Sequence, residues 1–332
     1  MPPAPSWAGR HVVVTGAGGF IGSHLVDLLT ELGAEVTAFV RYNSRNERGL
    51  LELRGLDREL RVKYGDITEL DTVRSLVQGA EVVFHLAALV GIPYSYIHPS
   101  EVVDVNTIGT LNILIAAREH ELEKVVLTST SEVYGSARFT PMGEDHPRQP
   151  QSPYSASKIA ADALATSFHR SFDLPVAIGR PFNTYGPRQS DRAIIPTVIS
   201  QALSGAEEIV LGNLAPRRDL TFVRDTVHGL VLAAEGDASI GEEINFGNGR
   251  SISIGELAEK IVGLVGRDIP VRQSDERVRP ASSEVDELVA DTSKARALLG
   301  WEPEVSLSDG LLQTIEWVRA NPRLYDPAVY RI

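Results

Sequence analysis

A chain of 332 residues, 43% hydrophobic and 23% charged, is typical of a globular protein with one large domain or two smaller ones. Its formal net charge of -12 argues against nucleic acid or an anionic membrane as a partner, and the absence of cysteine excludes disulfides, zinc-thiolate sites and a cysteine nucleophile. The eight histidines show no metal-ligand spacing, the apolar runs are shorter than a membrane span, and residues 1–10 lack a secretory pattern, so we expect a cytoplasmic protein without a metal centre.

Strands and helices are predicted to alternate through the first half of the chain. Short β-branched runs predict strands at 11–15, 35–40, 61–64, 81–86, 124–128 and 175–179, and helical spacing predicts helices from residue 21 and at 71–77, 102–119 and 155–170. This alternation predicts an α/β fold with a Rossmann-type, doubly wound parallel sheet. After Arg180, proline and glycine punctuate the sequence. We therefore expect a first domain at 1–180, with some later segments returning to it, and a smaller α/β domain at 181–332.

A glycine-rich loop follows the first predicted strand. Gly16, Gly19 and Gly22 form T-G-x-x-G-x-x-G, and Phe20 and Ile21 open the helix that follows. The first glycine allows a tight turn, the second allows the backbone to approach a pyrophosphate, and the third allows close helix packing. In this strand-loop-helix context the pattern predicts dinucleotide binding.

The end of the second strand bears on the choice of cofactor. Residues 39–45 contain no carboxylate for a ribose hydroxyl, and Arg41 suits a 2'-phosphate, which favours NADP slightly over NAD. The alternative is a solvated basic loop with NAD bound regardless. Asp66 and Ile67 are expected beside the adenine, unless they form an ordinary turn. Leu86 and the small residues Ala87 and Ala88 are expected on the nicotinamide side.

Tyr154 and Lys158 are candidates for the catalytic pair. Their spacing places both on one face of a predicted helix, where the ammonium favours the phenolate form of the tyrosine. A tyrosine and a lysine four residues apart are also common on exposed helices. However, the fifth strand ends in hydroxyl and carboxylate residues at the sheet edge where open α/β sheets bind ligands. These residues are Thr130, Ser131 and Glu132.

Five motifs together give the chain a family resemblance. They are T-G-A-G-G-F-I-G, H-L-A-A, S-T-S-E-V-Y-G, S-P-Y-S-A-S-K and R-P-F-N-T-Y-G-P-R. The chain resembles extended short-chain dehydrogenases/reductases that act on nucleotide sugars. The resemblance implies a Rossmann domain, a carboxyl-terminal domain for the nucleotide-diphosphate sugar, and a homodimer joined by a four-helix bundle. The bundle helices would be residues 102–120 and 152–171, whose apolar faces could instead be plain core.

The resemblance implies that the reaction begins with oxidation of a sugar hydroxyl at C4. The turn after the fifth strand indicates which step follows this oxidation. In Thr130, Ser131 and Glu132 the chain looks like GDP-mannose 4,6-dehydratases, whose Thr binds the reacting hydroxyl and whose Glu removes the C5 proton. Residues 39–46 and 91–96 look closest to the 4,6-dehydratases of legionaminic-acid-type pathways. The resemblance therefore implies a 4-keto-6-deoxy product, formed from UDP- or GDP-N-acetylglucosamine. Glucose-nucleotide dehydratases carry an Asp acid at the position of Ser131, so this residue is given a supporting role.

Three alternatives stay open. UDP-glucuronate decarboxylases also read T-S-E-V-Y-G, although residues 277–294 resemble the dehydratase tail more closely. Simple 4-epimerases generally have a small or hydroxyl residue at the position of Glu132. A nucleotide-sensing regulator on the same fold would tolerate loss of Thr130, Tyr154 and Lys158, all of which are present.

Four residues are candidates for holding the substrate. The resemblance implies that Asn183 contacts a phosphate or the sugar, and that Arg218 and Arg279 clamp the diphosphate. Arg188, after Gly-Pro, is a further candidate. Asn183 could instead be a turn residue, and the arginines could form surface ion pairs.

Overall fold

Alternating strands and helices run through the computed structural model, which describes residues 7–53, 60–274 and 285–325. The strands are β1 (His11–Thr15), β2 (Glu35–Arg41), β3 (Arg61–Gly65), β4 (Val82–His85), β5 (Lys124–Thr128), β6 (Val176–Pro181), β7 (Asn183–Tyr185), β8 (Ile209–Leu211), β9 (Arg217–Phe222), β10 (Glu243–Phe246), β11 (Ser251–Ser253), β12 (Val271–Gln273) and β13 (Glu287–Leu288). The helices are α1 (Phe20–Glu31), α2 (Leu70–Val77), α3 (Ile92–Ile97), α4 (Pro99–Val103), α5 (Gly109–Glu119), α6 (Pro153–Phe172), α7 (Ile194–Leu203), α8 (Val223–Glu235), α9 (Ile254–Val265), α10 (Ser293–Leu299) and α11 (Leu307–Ala320).

The large sheet has seven strands in the order β10-β6-β5-β4-β1-β2-β3, and every neighbouring pair is parallel. Its central strands β1, β4 and β5 are mostly buried apolar runs, as expected for a parallel sheet that is covered on both faces. The strand order reverses beside β1, where β4 pairs on one side and β2 on the other. Doubly wound sheets bind ligands at this kind of reversal.

Two apolar layers cover the sheet. Val12 and Val14 of β1 pack in one core cluster with residues of α1 and α8, whereas Val13 packs in the other with residues of α2, α5 and α6. Successive side chains of a strand point to opposite faces, so one short valine run contributes to both layers. The predicted Rossmann-type α/β fold is confirmed.

Residues after β6 build smaller sheets. Strands β11, β9 and β13 lie side by side with β7 on β9, and β12 pairs with β8. Helices α7, α9 and α11 pack together near them. Strand β10 instead joins the large sheet, where it pairs in parallel with β6.

The predicted helix at 102–119 differs from the structure in two respects: the helical region begins earlier, at Pro99, and it is not one regular helix. It is divided into α4, a π-helical segment at Asp104–Ile108, and α5. A π turn inserts one extra residue per turn and often lies at a functional site. Within the described residues, none of the helices is both long enough and apolar enough to cross a membrane.

Candidate active site

The glycine loop between β1 and α1 is shaped for close approach of a ligand. Gly16 has φ +67°, and a side chain on Gly22 would place its Cβ 2.2 Å from the Gly16 carbonyl oxygen. Helix α1 has no side-chain cap at Gly19 and no acidic residue in its first turn. The positive end of the helix dipole is therefore left for an external anion, and the loop fits the pyrophosphate of NAD or NADP.

A cleft of about 760 Å³ opens at the carboxyl edge of the large sheet, beside this loop. It brings together every residue that the sequence predicts for the cofactor and for catalysis. The cofactor set on its wall is Gly16, Gly19, Phe20, Ile21, Gly22, Arg41, Asp66, Ile67, Leu86, Ala87, Ala88, Tyr154 and Lys158, and the remaining catalytic candidates are Thr130, Ser131 and Glu132.

A buried histidine fixes the turn after β4. The hydroxyl oxygen of Thr15 accepts the N–H groups of Leu86 and Ala87, both at 3.1 Å, so its own proton is donated to His85 Nδ1 at 2.8 Å. The ring proton of His85 then lies on Nε2, which donates to the Thr110 hydroxyl at 3.0 Å. Burial lowers the pKa of His85 to about 3, so the ring is neutral. The hydrogen bonds of Thr15 therefore hold Leu86 and Ala87, which line the cleft, in one conformation.

Tyr154 and Lys158 lie in the first turns of α6. The helix begins at Pro153 after a reciprocal cap between Ser152 and Ser155. Burial raises the pKa of Tyr154, while its hydrogen bond with Thr130 opposes this rise. Burial lowers the pKa of Lys158 to about 8. These opposite shifts move two values that are nearly equal in water apart, so the phenol of the cofactor-free site is held neutral while the lysine can exchange its proton not far above neutral pH.

The turn after β5 carries the other catalytic candidates. The Thr130 hydroxyl accepts the Glu132 N–H at 3.2 Å and hydrogen bonds with Tyr154. Glu132 is half-buried and close enough to Tyr154 for its charge to contribute to the raised pKa of the phenol. A hydroxyl, a phenol and a carboxylate thus converge on one region of the cleft.

Asn106, which the sequence analysis missed, links the cleft wall to α6. Its side-chain oxygen accepts the Leu89 N–H at 2.7 Å, and its amide nitrogen donates to the Leu89 carbonyl at 3.0 Å and to Ser157 Oγ at 2.9 Å. Asn106 lies in the π-helical segment and is buried. No spacing in the sequence marks a π turn, so this contact could not be predicted from it.

Arg41 lies at the end of β2, on the part of the cleft wall where the sequence predicts the adenosine of the cofactor. Its guanidinium is 3.6 Å from a Glu101 carboxylate oxygen and 4.0 Å from one of Asp66. Its side chain remains 65% exposed, so these ion pairs are weak and exchangeable. Asn43 lies on the same side of the cleft.

The four substrate candidates have different surroundings. Asn183 lines the cleft, and its side-chain oxygen is buried without a hydrogen-bond partner among the described residues, which suits a ligand donor. Arg188, whose backbone has φ +67°, is outside the cleft wall and donates to Asp27 of α1 at 2.7 Å. Arg218 lies on β9, also outside the cleft wall, and donates to the Arg217 carbonyl at 3.0 Å. Arg279 falls outside the described residues.

The chain is similar to known proteins over most of its length. The family model described as GDP-mannose 4,6 dehydratase matches residues 13–314. A UDP-glucose 4-epimerase of Mycolicibacterium smegmatis is 35% identical over 312 residues, which cover 92% of this chain and 98% of that one. A dTDP-glucose 4,6-dehydratase of Streptomyces niveus is 33% identical over 329 residues, or 95% of each chain.

A solved structure of a related enzyme has a similar fold. The dTDP-glucose 4,6-dehydratase DesIV of Streptomyces venezuelae, solved with NAD bound, has a TM-score of 0.87 and 30% identity, covering 96% of this chain and all of its own. With the glycine loop and the Tyr-Lys pair in place, these matches lead to one conclusion. The chain belongs to the nucleotide-sugar epimerase and dehydratase family of extended short-chain dehydrogenases/reductases, and it is an NAD(P)-dependent enzyme of that family.

Proposed function

We propose that the enzyme is a nucleotide-sugar 4,6-dehydratase, acting on UDP- or GDP-N-acetylglucosamine. The observation that carries this proposal is Glu132, a carboxylate on the cleft wall beside the hydrogen-bonded Thr130 and Tyr154. C4 oxidation needs only the Tyr-Lys pair and the cofactor. A carboxylate at this position adds a base that elimination requires.

Each of the residues on the cleft wall has a separate role in the proposed reaction. When bound, NAD(P) supplies the acceptor for the C4 hydride and later returns that hydride to C6. Tyr154 takes the C4 hydroxyl proton, Thr130 orients that hydroxyl, and Lys158 stabilises the phenolate. The resulting ketone acidifies the C5 proton, which Glu132 removes.

Loss of the C6 hydroxyl as water requires a proton. Ser131 cannot act as the acid, because a serine hydroxyl is far too weakly acidic at neutral pH. Glu132 holds the proton taken from C5, and a carboxylic acid within hydrogen-bond reach can deliver it to the leaving oxygen. Glu132 therefore serves first as base and then as acid, with Ser131 in a supporting role.

The surroundings of Glu132 favour dehydration over decarboxylation. Decarboxylases that read T-S-E-V-Y-G carry this carboxylate too, so a uronic acid would bring a second carboxylate near Glu132 and would need a cation beside it to offset the repulsion. Among the described residues on the cleft wall, the cationic side chains are Arg41, on the adenosine side, and Lys158, beside Tyr154. Neither is placed to neutralise a C6 carboxylate. A simple 4-epimerase, in turn, has no step that uses Glu132.

The reaction is tested by weighing products from UDP-, GDP- and dTDP-sugars incubated with the enzyme and cofactor. A dehydratase yields a product lighter by one water, and the panel also identifies the nucleotide and sugar. Loss of carbon dioxide from UDP-glucuronate would support the decarboxylase. An unchanged mass with inverted C4 would support the epimerase.

We also expect NADP to bind more tightly than NAD, because Arg41 can exchange its weak ion pairs for a 2'-phosphate. Replacing Arg41 by Asp should reverse the order and weaken NADP binding by ~10-fold or more, about 1.4 kcal/mol. Calorimetric titration of cofactor-free protein with both nucleotides measures this. Arg45→Asp is a matched control, because Arg45 is an exposed cation of the same loop that does not line the cleft. Tighter binding of NAD by the unsubstituted protein would refute the preference.

A homodimer through a four-helix bundle is part of the proposal. Its support is a pair of exposed apolar side chains within the expected bundle helix at 102–120. They are Val103 and Ile108, with exposed fractions of 43% and 40%. The cytoplasmic location expected from the sequence stays a prediction.

A further inference from the structure

A buried acid lies on α6 behind the cleft. Asp162 is completely buried, and one of its carboxylate oxygens accepts hydrogen bonds from Ser129 Oγ and from Arg180 Nη2, both at 2.8 Å. It does not line the cleft and would touch neither cofactor nor sugar. A buried carboxylate is costly unless it is paired, so its location depends on these two partners.

Asp162 joins the two elements that carry the catalytic groups. Tyr154, Lys158 and Asp162 follow one another at intervals of four residues, so they share one face of α6. Ser129 directly precedes Thr130 in the turn after β5. The hydrogen bond between Ser129 and Asp162 therefore fixes the position of the Thr130 turn relative to the face that carries Tyr154.

Asp162 also supplies negative charge beside the catalytic lysine. Lys158 is buried and donates to the neutral carbonyl of Thr128 at 2.7 Å. Burial lowers the pKa of Lys158, and the charge of Asp162 opposes that fall. The charged or titratable groups around this pair are His85 on β4, Glu132 and Tyr134 after β5, Arg180 on β6, and Glu243 on β10, which lies 3.0 Å from Arg180.

We propose that Asp162 is a positioning residue for C4 oxidation: it holds the Ser129–Thr130 turn against α6, and its charge stabilises the Lys158 ammonium. This role rests on the proposed use of Tyr154 and Lys158 as the proton-transfer pair. It is independent of whether dehydration, epimerisation or decarboxylation follows. The same inference would apply to any of these reactions in this chain.

The charge of Asp162 has a predictable effect on pH dependence. The Lys158 ammonium is present below its pKa and is lost as the pH rises through about 8. Replacing Asp162 by Asn removes a negative charge, which lowers the pKa values of Lys158 and Tyr154 alike. Both limbs of the rate profile for the first oxidation should then move to lower pH. A packing defect alone would lower the rate at every pH.

The pKa of Lys158 can be measured without substrate. The chain contains five lysines, Lys63, Lys124, Lys158, Lys260 and Lys294, so NMR of the full chain labelled with ¹³C at lysine Cε gives few signals. Lys158→Arg assigns its signal, which matters because burial also lowers the pKa of Lys124 to about 8. Asp162→Asn should lower the Lys158 midpoint by about one unit or more, and Asp162→Glu should restore most of it.

Two control variants distinguish the effect of the Asp162 charge from the effect of its hydrogen bond to Ser129. Asp27→Asn also removes a carboxylate from a largely buried ion pair with arginine, and it should leave the Lys158 titration unchanged. Ser129→Ala keeps the charge of Asp162 but removes the hydrogen bond. It should leave the titration in place, slow the first oxidation of the panel substrate about tenfold, and be rescued by Ser129→Thr.

Two results would overturn the proposal. A Lys158 midpoint that is the same in Asp162→Asn and the unsubstituted protein would refute the charge role. An unaltered oxidation rate in Ser129→Ala would refute the positioning role, and this arm remains decisive if Asp162→Asn does not fold. Failure of the dehydratase assignment would change the product in the mass measurement but would not alter the titration.

Discussion

Replacement of Tyr154 by Phe is expected to lower turnover by at least ~10²-fold, the usual contribution of one acid-base group, while fold and cofactor binding persist. Tyr154 is buried against Thr130 in the cleft, and only its hydroxyl is lost. Steady-state rates, with thermal unfolding and cofactor titration of the same samples, measure the effect.

The matched control is Tyr185→Phe. Tyr185 is also buried, but its hydroxyl donates to the Leu307 carbonyl at 3.3 Å and lies away from the cleft wall. This variant should lower stability and not turnover. If Tyr154→Phe turned over at nearly the unsubstituted rate, Tyr154 would be removed from the mechanism.

Replacement of Glu132 by Gln is expected to stop the reaction after C4 oxidation. Thr130, Tyr154 and Lys158 are untouched, so the sugar is still oxidised, but no carboxylate remains to take the C5 proton. Reduced nicotinamide should therefore accumulate, and its near-ultraviolet absorbance measures it directly. Turnover should fall by ~10² or more.

Ser131→Ala is the control for this variant. It alters the neighbouring residue without removing the carboxylate, so it should complete turnover and accumulate no reduced nicotinamide. Full dehydration by Glu132→Gln would show that another group is the C5 base.

The sequence predicts the first half of the fold within one or two residues at most strand ends. Buried parallel strands such as β1 and β5 are β-branched runs that end in glycine or hydroxyl residues, and this pattern is easily recognised. After Arg180 the strands are often only two or three residues long, as in β8, β11 and β13. Such segments show no periodicity, so their pairing depends on contacts distant in sequence.

In the candidate site, too, features that are local in sequence could be predicted, whereas contacts between distant residues could not. The glycine loop and the Tyr154–Lys158 pair are local patterns that can be recognised in the sequence, and both line one cleft. The spacing of Asp162 from Lys158 can also be read from the sequence. The ion pair of Asp162 with Arg180 cannot, because it joins a helix to a strand. The sequence likewise gives no sign that Arg188 pairs with Asp27 on α1.

One isotope measurement tests the dehydratase most directly. A nucleotide hexose that carries deuterium at C4 is converted by the enzyme, and the product is examined by mass spectrometry and NMR. Dehydration predicts loss of one water and transfer of the deuterium from C4 to C6, because the hydride that leaves C4 returns to C6. Deuterium that remains at C4 of the hexose with the C6 hydroxyl intact would contradict the account, as would turnover of a C4-deuterated nucleotide hexuronate with loss of carbon dioxide and the deuterium still at C4.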